Sequence, residues 1–566
     1  MTLTEQFELP ALTENGKARL ASFEALSVEP TPTSLVAYQS LGQVVIAGAR
    51  SSAIKAARNM VDTELTCYLL ITEEDDEADT DHQGDTEYLP QMFSADDFSA
   101  QGYLGAFSII AFKNDREFDF GKTVGIASGL FDLILDLSES SKFEAQVPPP
   151  GYFRIEPAEQ SDKRIRRTAE ELSQLVGNFE KPKYFNYDPD ICAHSRSGIV
   201  ACTRCIDACP TDAITSIGET IEFNSHLCQG GGVCAAACPT GAATYAYPPS
   251  ENQLDVLRQL LLRYRENGGH NAVVLFYDRE GGTPIVSAQI TEMGENILPV
   301  QVEEVGALGL DIFFSLLAYG AAGAAVLCSD VAQSVRQELE HQIEILDRFL
   351  EGMGHSFHPI QLMQTDEDRE VSESAIQQLA QMDISPAKFA PTGIKRTDMR
   401  IALEHLHSQS PKQPDSINLP GHSPFGQIMV DTDTCTLCMG CVSVCPASAL
   451  EAGGEVPKLA FIENNCVQCG LCESACPESS ITRSQRYLFD TDSRMRARTM
   501  NEDAPFHCRV CGKAFATSAM LRTMKDKLKG HWMFQDPEAV ARLEMCEDCR
   551  VKDMFAAEGG FPRNKI

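Results

Sequence analysis

The sequence is short of positive charge. Its 566 residues carry 47 Lys and Arg against 81 Asp and Glu, a formal net charge of −34. A phosphate backbone is bound by clustered Lys and Arg, so this balance argues against a nucleic-acid partner. Long hydrophobic runs are missing too, since none reaches the roughly 20 residues of a membrane span. The opening MTLTEQFELP has neither a basic n-region nor an apolar h-region, which argues against a secretory signal and for a cytoplasmic protein. Hydrophobic residues at 43 % and charged residues at 23 % are ordinary for a chain with a packed core, and the length suits several domains.

Cysteine is what the sequence has in plenty. In a reducing compartment its 21 cysteines at short, regular spacing mean metal ligation or redox chemistry rather than disulfides. Seven lie between Cys192 and Cys238, eight between Cys435 and Cys476, and four between Cys508 and Cys549. Cys67 and Cys328 are left over and read as packed core.

The block from 435 to 476 holds CTLCMGCVSVCP (435–446) and CVQCGLCESACP (466–477). Both match C-x2-C-x2-C-x3-C-P, the ligand run of bacterial two-cluster ferredoxins. Three thiolates at steps of three residues wrap a loop around one face of a 4Fe–4S cube, and the fourth leads the chain away to the other cube. One cube takes Cys435, Cys438, Cys441 and Cys476; the other takes Cys466, Cys469, Cys472 and Cys445. Structural zinc is bound by paired C-x2-C hooks, not by quartets.

The block from 192 to 238 is the same pattern with two irregularities. ACTRCIDACPTDAI (201–214) supplies Cys202, Cys205 and Cys209, but Ile199 stands where the first ligand belongs, and Cys192 lies upstream on a longer loop. CQGGGVCAAACP (228–239) keeps Cys228, Cys234 and Cys238, with Gly231 at the second ligand position. The ferredoxin resemblance implies one cluster on Cys192, Cys202, Cys205 and Cys238. It leaves Cys209, Cys228 and Cys234 for the second. Three thiolates suit a 3Fe–4S cluster; the alternatives are a four-iron cube with a non-cysteine fourth ligand, or an empty site. His194 is read as a hydrogen-bond donor beside the site rather than as a ligand.

FHCRVCGKAF (506–515) and MCEDCRV (545–551) are two C-x2-C hooks separated by 34 residues. Cys508, Cys511, Cys546 and Cys549 suit a closed tetrahedral zinc, with Gly512 allowing the tight reversal. A rubredoxin-like iron or a further iron–sulfur cluster are the competing readings.

The remaining sequence reads as two small α/β units. In the first, QVVIAGA (43–49), TCYLLI (66–71), FSIIAF (107–112) and FDLILDL (131–137) are buried-strand candidates, with a helix near Ser52–Asp62. The acidic segment 72–88 reads as a solvated loop, and Pro148, Pro149 and Pro150 as the end of the unit. IAGARSSA (46–53) partly matches a dinucleotide fingerprint, but Arg50 replaces its second glycine. In the second unit, strands are expected at 272–278, 296–302, 324–329 and 360–363, and helices at 252–265, 310–319 and 331–352. The stretch 385–424 reads partly as linker.

The expected fold class is therefore α/β and α+β multidomain. Its divisions are an α/β unit over 1–150, an irregular ferredoxin module over 151–250, an α/β unit over 251–400, a linker over 401–424, a two-cluster ferredoxin over 425–490 and a cysteine-hook tail over 491–566. Residues 270–365, with the run GLDIFFSLLAYGAAGAAVLCSD, resemble the delta subunit of methyl-viologen-reducing hydrogenase, which passes electrons toward heterodisulfide reductase. Of the cysteines through which that family binds a cluster, this stretch keeps only Cys328. The whole layout resembles large cytosolic 4Fe–4S proteins associated with molybdenum formate dehydrogenases. That resemblance implies an electron-transfer protein with three or four clusters and a dehydrogenase as redox partner. An oxidoreductase with its own nucleotide or flavin site in the first unit, or an assembly factor with structural clusters, are the other expectations.

Overall fold

A computed structural model of the protein describes residues 9–24, 34–75, 90–329, 331–364, 371–454 and 456–557. Among the described residues, no helix is long and apolar enough to cross a membrane.

QVVIAGA is apolar at nearly every position, as a strand buried on both faces must be. Gln43–Ala49 is the centre of a five-stranded parallel sheet ordered Met92–Ser94, Thr66–Glu73, Gln43–Ala49, Leu133–Asp136, Tyr152–Arg154. Val44 and Ile46 pack with Ala53, Ala56 and Ala57 of the helix Arg50–Arg58 and with Ile165, Ala169 and Leu172 of the helix Asp162–Ser173. Val45 and Ala47 share the other core with Phe107, Phe120 and Phe131. Over that face lies an antiparallel sheet of Asp97–Tyr103, Ala106–Lys113 and Arg116–Asp119. FSIIAF is the middle of this covering sheet, and only Phe107, Ile109 and Ala111 on its inner side are fully buried.

Two expectations for this unit need correction. Pro148–Pro150 do not end it: they lie on the crossover between the neighbouring parallel strands Leu133–Asp136 and Tyr152–Arg154, a connection that parallel pairing requires. Strand Gly177–Pro182 then pairs antiparallel with Leu35–Ser40. The acidic segment begins in a strand, since Thr66–Glu73 runs through Glu73, and its residues 76–88 lie outside the described residues.

The central unit is a four-stranded parallel sheet ordered Ile297–Val302, Val273–Asp278, Gly323–Leu327, Ile360–Met363. Helices Ser250–Glu266, Leu310–Ala318 and Gln333–Gly352 form its main apolar core, and Gly282–Gln289 packs on the other side. The first helix of the chain, Glu14–Glu24, also belongs here. Its Ala18 and Phe23 are fully buried in the same core as Leu254 and Leu257, and Arg19 donates to the Ile297 carbonyl at 3.1 Å.

The expected linker contains a 15-residue helix, Lys395–Gln409. Met399, Ala402, Leu403 and Leu406 fall at helical spacing and are buried in the central core. Thr392 donates its backbone N–H and its hydroxyl to the buried Asp398, at 2.8 and 2.7 Å, which fixes the entry to this helix.

The two cysteine-rich modules share one plan. In each, the strand before the first run pairs antiparallel with the strand after the second: Phe185–Tyr187 with Ala243–Tyr245, and Gln427–Val430 with Ile481–Ser484. Between the runs, a hairpin joins Ile214–Ile217 to Thr220–Phe223 and Leu450–Ala452 to Lys458–Phe461. The tail adds a hairpin, Pro505–His507 with Ala514–Thr517, and the helices Ser518–Leu528, Pro537–Arg542 and Glu547–Ala557.

Candidate cluster and metal centres

Each of the four cysteine runs is shaped by its backbone. The cysteine at the third ligand position, Cys205, Cys234, Cys441 or Cys472, sits in a short helix of four or five residues. The third residue after the last cysteine is left-handed in every run: Asp212, Gly241, Ser448 and Ser479. This turn brings a backbone N–H onto the last sulfur, from Ala449 to Cys445 at 3.2 Å and from Ser480 to Cys476 at 3.3 Å.

The C-terminal module sorts its eight thiols into two cavities. One, about 340 Å³ with its opening to solvent included, is lined by Cys435, Cys438, Cys441 and Cys476. The other, about 380 Å³ on the same measure, is lined by Cys445, Cys466, Cys469 and Cys472. The last cysteine of each run is thus in the other run's cavity, the crossed arrangement expected from spacing. Burial, then neighbouring Cys438, Cys435 and Cys476, pushes the Cys441 thiol up to about 12. Burial together with Cys466 and Cys445 brings Cys469 to about 11. The Cys441 and Cys469 thiols, each crowded by other cysteines, therefore resist ionisation on their own. A thiophilic cationic centre removes that penalty, so this donor set fits an iron–sulfur cluster. Gln468 adds a side-chain hydrogen bond to Cys466 Sγ at 3.2 Å, and Arg483 donates to the Gln468 carbonyl at 2.6 Å.

In the N-terminal module, Cys192 takes the place that Ile199 does not fill. It ends the turn Pro189–Ile191 at φ −70° and ψ 134°, as Cys466 ends Glu463–Asn465 at φ −66° and ψ 132°. The additional residues form a hairpin, Ser195–Arg196 with Ile199–Val200, reversed at left-handed Ser197 and Gly198. Burial is the main cause of the rise in the Cys205 thiol, with Cys238, Cys202 and Cys192 adding to it. Burial also dominates at Cys234, where Cys228 and Cys209 are the next causes, ahead of Cys205 and Cys238. His194 is buried with both ring nitrogens engaged, Nδ1 with the Cys202 carbonyl at 2.9 Å and Nε2 with Ser216 Oγ at 2.8 Å.

Around the vacant ligand position the backbone is unchanged. Gly230 and Gly232 are left-handed at φ 89° and 70°, flanking Gly231 as Gln468 and Gly470 flank Cys469 and as Leu437 and Met439 flank Cys438. Gly231 itself is not left-handed, and a Cβ there would meet nothing within 4 Å.

Three cations beside these sites carried no sequence signal. Lys181 donates to the carbonyls of His226 and Cys228 at 2.8 and 2.6 Å, and burial lowers its ammonium to about 8. Lys395 donates to the carbonyls of Ala235, Ala236 and Cys238 at 2.6, 2.7 and 3.1 Å. Burial pushes the Cys238 thiol up, but Lys395, the Thr240 hydroxyl and nearby N–H groups more than offset it. Arg396 reaches the carbonyls of Pro239 and Cys466 at 3.1 and 3.0 Å.

The tail brings Cys508, Cys511, Cys546 and Cys549 together, their sulfurs all within 4.8 Å of one another. Tetrahedral thiolates on zinc lie about 3.8 Å apart, so a small contraction would seat one ion. Left-handed Gly512 donates to the Cys508 carbonyl at 2.8 Å and closes the first hook. At Cys508, burial is more than offset by N–H groups of Cys546, Cys511 and Val510, and the thiol falls to about 6. The tail leans on the ferredoxin loop: Thr517 donates to the Thr436 carbonyl at 2.8 Å, and Lys527 pairs with Glu478 at 2.8 Å.

The dinucleotide-like segment does not fit a phosphate. At the start of the helix Arg50–Arg58, Ser51 gives its N–H to the Asp75 carboxylate at 3.1 Å, and Arg50 pairs with Glu74 at 3.3 Å. The place where a pyrophosphate would meet backbone N–H groups is taken by an acid. Cys328 is core, pushed up to about 12 by burial, and Cys67 packs against Met60.

No curated protein matches the chain. Residues 434–480 match the family described as 4Fe-4S dicluster domain. With its crossed four-cysteine cavities, the segment 434–480 is a 4Fe–4S dicluster ferredoxin domain within a larger mixed α/β protein.

Proposed function

We propose that this is an iron–sulfur electron-transfer protein that relays electrons through several clusters to or from a partner dehydrogenase. The observation that carries the reading is the sorting of eight thiols into two crossed groups of four. In this reading Cys435, Cys438, Cys441 and Cys476 hold one 4Fe–4S cube, and Cys445, Cys466, Cys469 and Cys472 a second. Cys192, Cys202, Cys205 and Cys238 hold a third. Cys209, Cys228 and Cys234 hold a 3Fe–4S cluster, supported by the loop around Gly231, which keeps the ligand turn without the thiol. Cys508, Cys511, Cys546 and Cys549 hold a structural zinc, a closed site with no open position.

The clusters supply one-electron capacity; the chain's own residues bury the sites and direct N–H groups and cations at them, the means by which a protein sets such potentials. The two α/β units act as docking surfaces. The partner is a molybdenum formate dehydrogenase, an assignment supported by the resemblance of the module layout.

The test is anaerobic purification with iron, sulfide, zinc and flavin analysis, followed by mixing with the dehydrogenase and formate. Formate should bleach the clusters only when the dehydrogenase is present. Formate or NAD(P)H turnover by the isolated chain would overturn the relay reading in favour of an enzyme.

A further inference from the structure

The two cysteine-rich modules meet along one seam. The hairpin after Cys192 lays its strand Ile199–Val200 against the short helix Leu471–Ser474, which contains Cys472. From the same hairpin, Arg196 donates to the Cys445 carbonyl at 3.4 Å. The helix Lys395–Gln409 enters from the central unit and sets Arg396 across the two modules. One nitrogen donates to Pro239 at 3.1 Å and to Pro424 at 3.2 Å, and another to Cys466 at 3.0 Å. The guanidinium carbon lies 5.1 Å from the centre of the Phe425 ring. Pro239 follows Cys238 directly, so one half-buried cation is tied to the backbone beside a cysteine of each group.

We propose that electrons pass between the modules across this seam, between the Cys192–Cys202–Cys205–Cys238 site and the Cys445–Cys466–Cys469–Cys472 site, with Arg396 as the positioning residue. The inference rests on the relay reading above and names its crossing point. The step balances without chemistry at the ligands: the cluster on one side is oxidised by one electron, its neighbour is reduced by the same electron, and no bond forms or breaks. Each reduction adds one negative charge, and a half-buried cation touching both loops stabilises that charge on either side. Arg396 therefore raises both potentials together and does not bias the step in either direction.

The experiment uses the full-length protein, purified anaerobically, as wild type and as Arg396→Gln, Arg396→Lys and Arg196→Gln. Electron paramagnetic resonance is followed through a redox titration. In the wild type, full reduction should couple the spins of the two seam clusters in addition to the pair within each module; coupling confined to each module would overturn the proposal. Arg396→Gln should shift two of the cluster potentials downward and leave the others unmoved; Arg396→Lys should restore them. Arg196→Gln should lower only one of that pair. Isolated, non-interacting signals at full iron content would overturn the proposal, as would potentials indifferent to Arg396→Gln. The spin-coupling measurement needs no variant, so it decides even where Arg396→Gln does not fold. Failure of the wild type to bind iron in the ferredoxin modules would instead overturn the relay reading itself.

Discussion

Gly231 occupies a ligand position in a loop whose turn is otherwise intact. Its backbone suits an L-residue and a Cβ would enter free space, so Gly231→Cys adds a thiol without strain. The variant should gain about one iron per chain and lose the oxidised-state signal of a 3Fe–4S cluster, read by metal analysis and electron paramagnetic resonance. Gly230→Cys one residue earlier is the control: at φ 89° and with the Tyr184 ring 2.9 Å from its Cβ, it should destabilise the loop and bind no extra iron. The crossover is testable in the same way. Cys445→Ser should alter the cluster held with Cys466, Cys469 and Cys472, and spare the signal of the run in which Cys445 itself stands. At this scale the thiols were legible, because a ligand run must repeat in register. Lys181, Lys395 and Arg396 were not: they bind backbone carbonyls, which every residue has, so no spacing announces their partners.

The hook pair and the helix Lys395–Gln409 show what elements add. In the proposed zinc site, four sulfurs on one ion would supply folding free energy beyond that of the small tail core built around Cys508, Met545 and Cys546. Cys511→Ser or Cys546→Ser should therefore release zinc and open the tail to limited proteolysis, with the visible absorbance of the clusters retained. Loss of that absorbance would place the tail among the redox centres. In the helix, Leu403 is fully buried, and Leu403→Ala should cost about 2–5 kcal/mol, measured by thermal or denaturant unfolding. The helix was obscured in the sequence by its flanks, rich in proline, serine and charge, although Met399, Ala402, Leu403 and Leu406 carry the period. FSIIAF deceives in the opposite sense. Its apolar run, broken only by Ser108, suggests a buried strand, yet the strand is half-buried, because apolarity alone does not say which sheet a strand joins.

At the scale of the molecule, the net charge of −34 sets how a partner approaches. Electrostatic steering toward a basic face should make the second-order rate of electron transfer to the dehydrogenase fall as ionic strength rises, measured by stopped-flow bleaching. A rate independent of salt would assign the acidity to solubility alone. The dicluster domain at 434–480 was legible from its cysteine block, and the mixed α/β class from the alternation of strand and helix patterns. The mutual packing of the modules was not, because the seam is made of a hairpin, two arginines and carbonyl groups far apart in sequence.

The docking of Glu14–Glu24 onto Ser250–Glu266 and the Ile297–Val302 strand has a consequence for biosynthesis. The helix leaves the ribosome hundreds of residues before its binding surface exists, a delay on the order of tens of seconds at ordinary elongation rates. During that interval the five-stranded sheet can close while Ala18 and Phe23 remain uncovered. The helix is therefore made first but settles after the five-stranded sheet. Translation that stops short of the central unit yields a product with Ala18 and Phe23 of this helix unburied at its head, a ready target for chaperones and proteases.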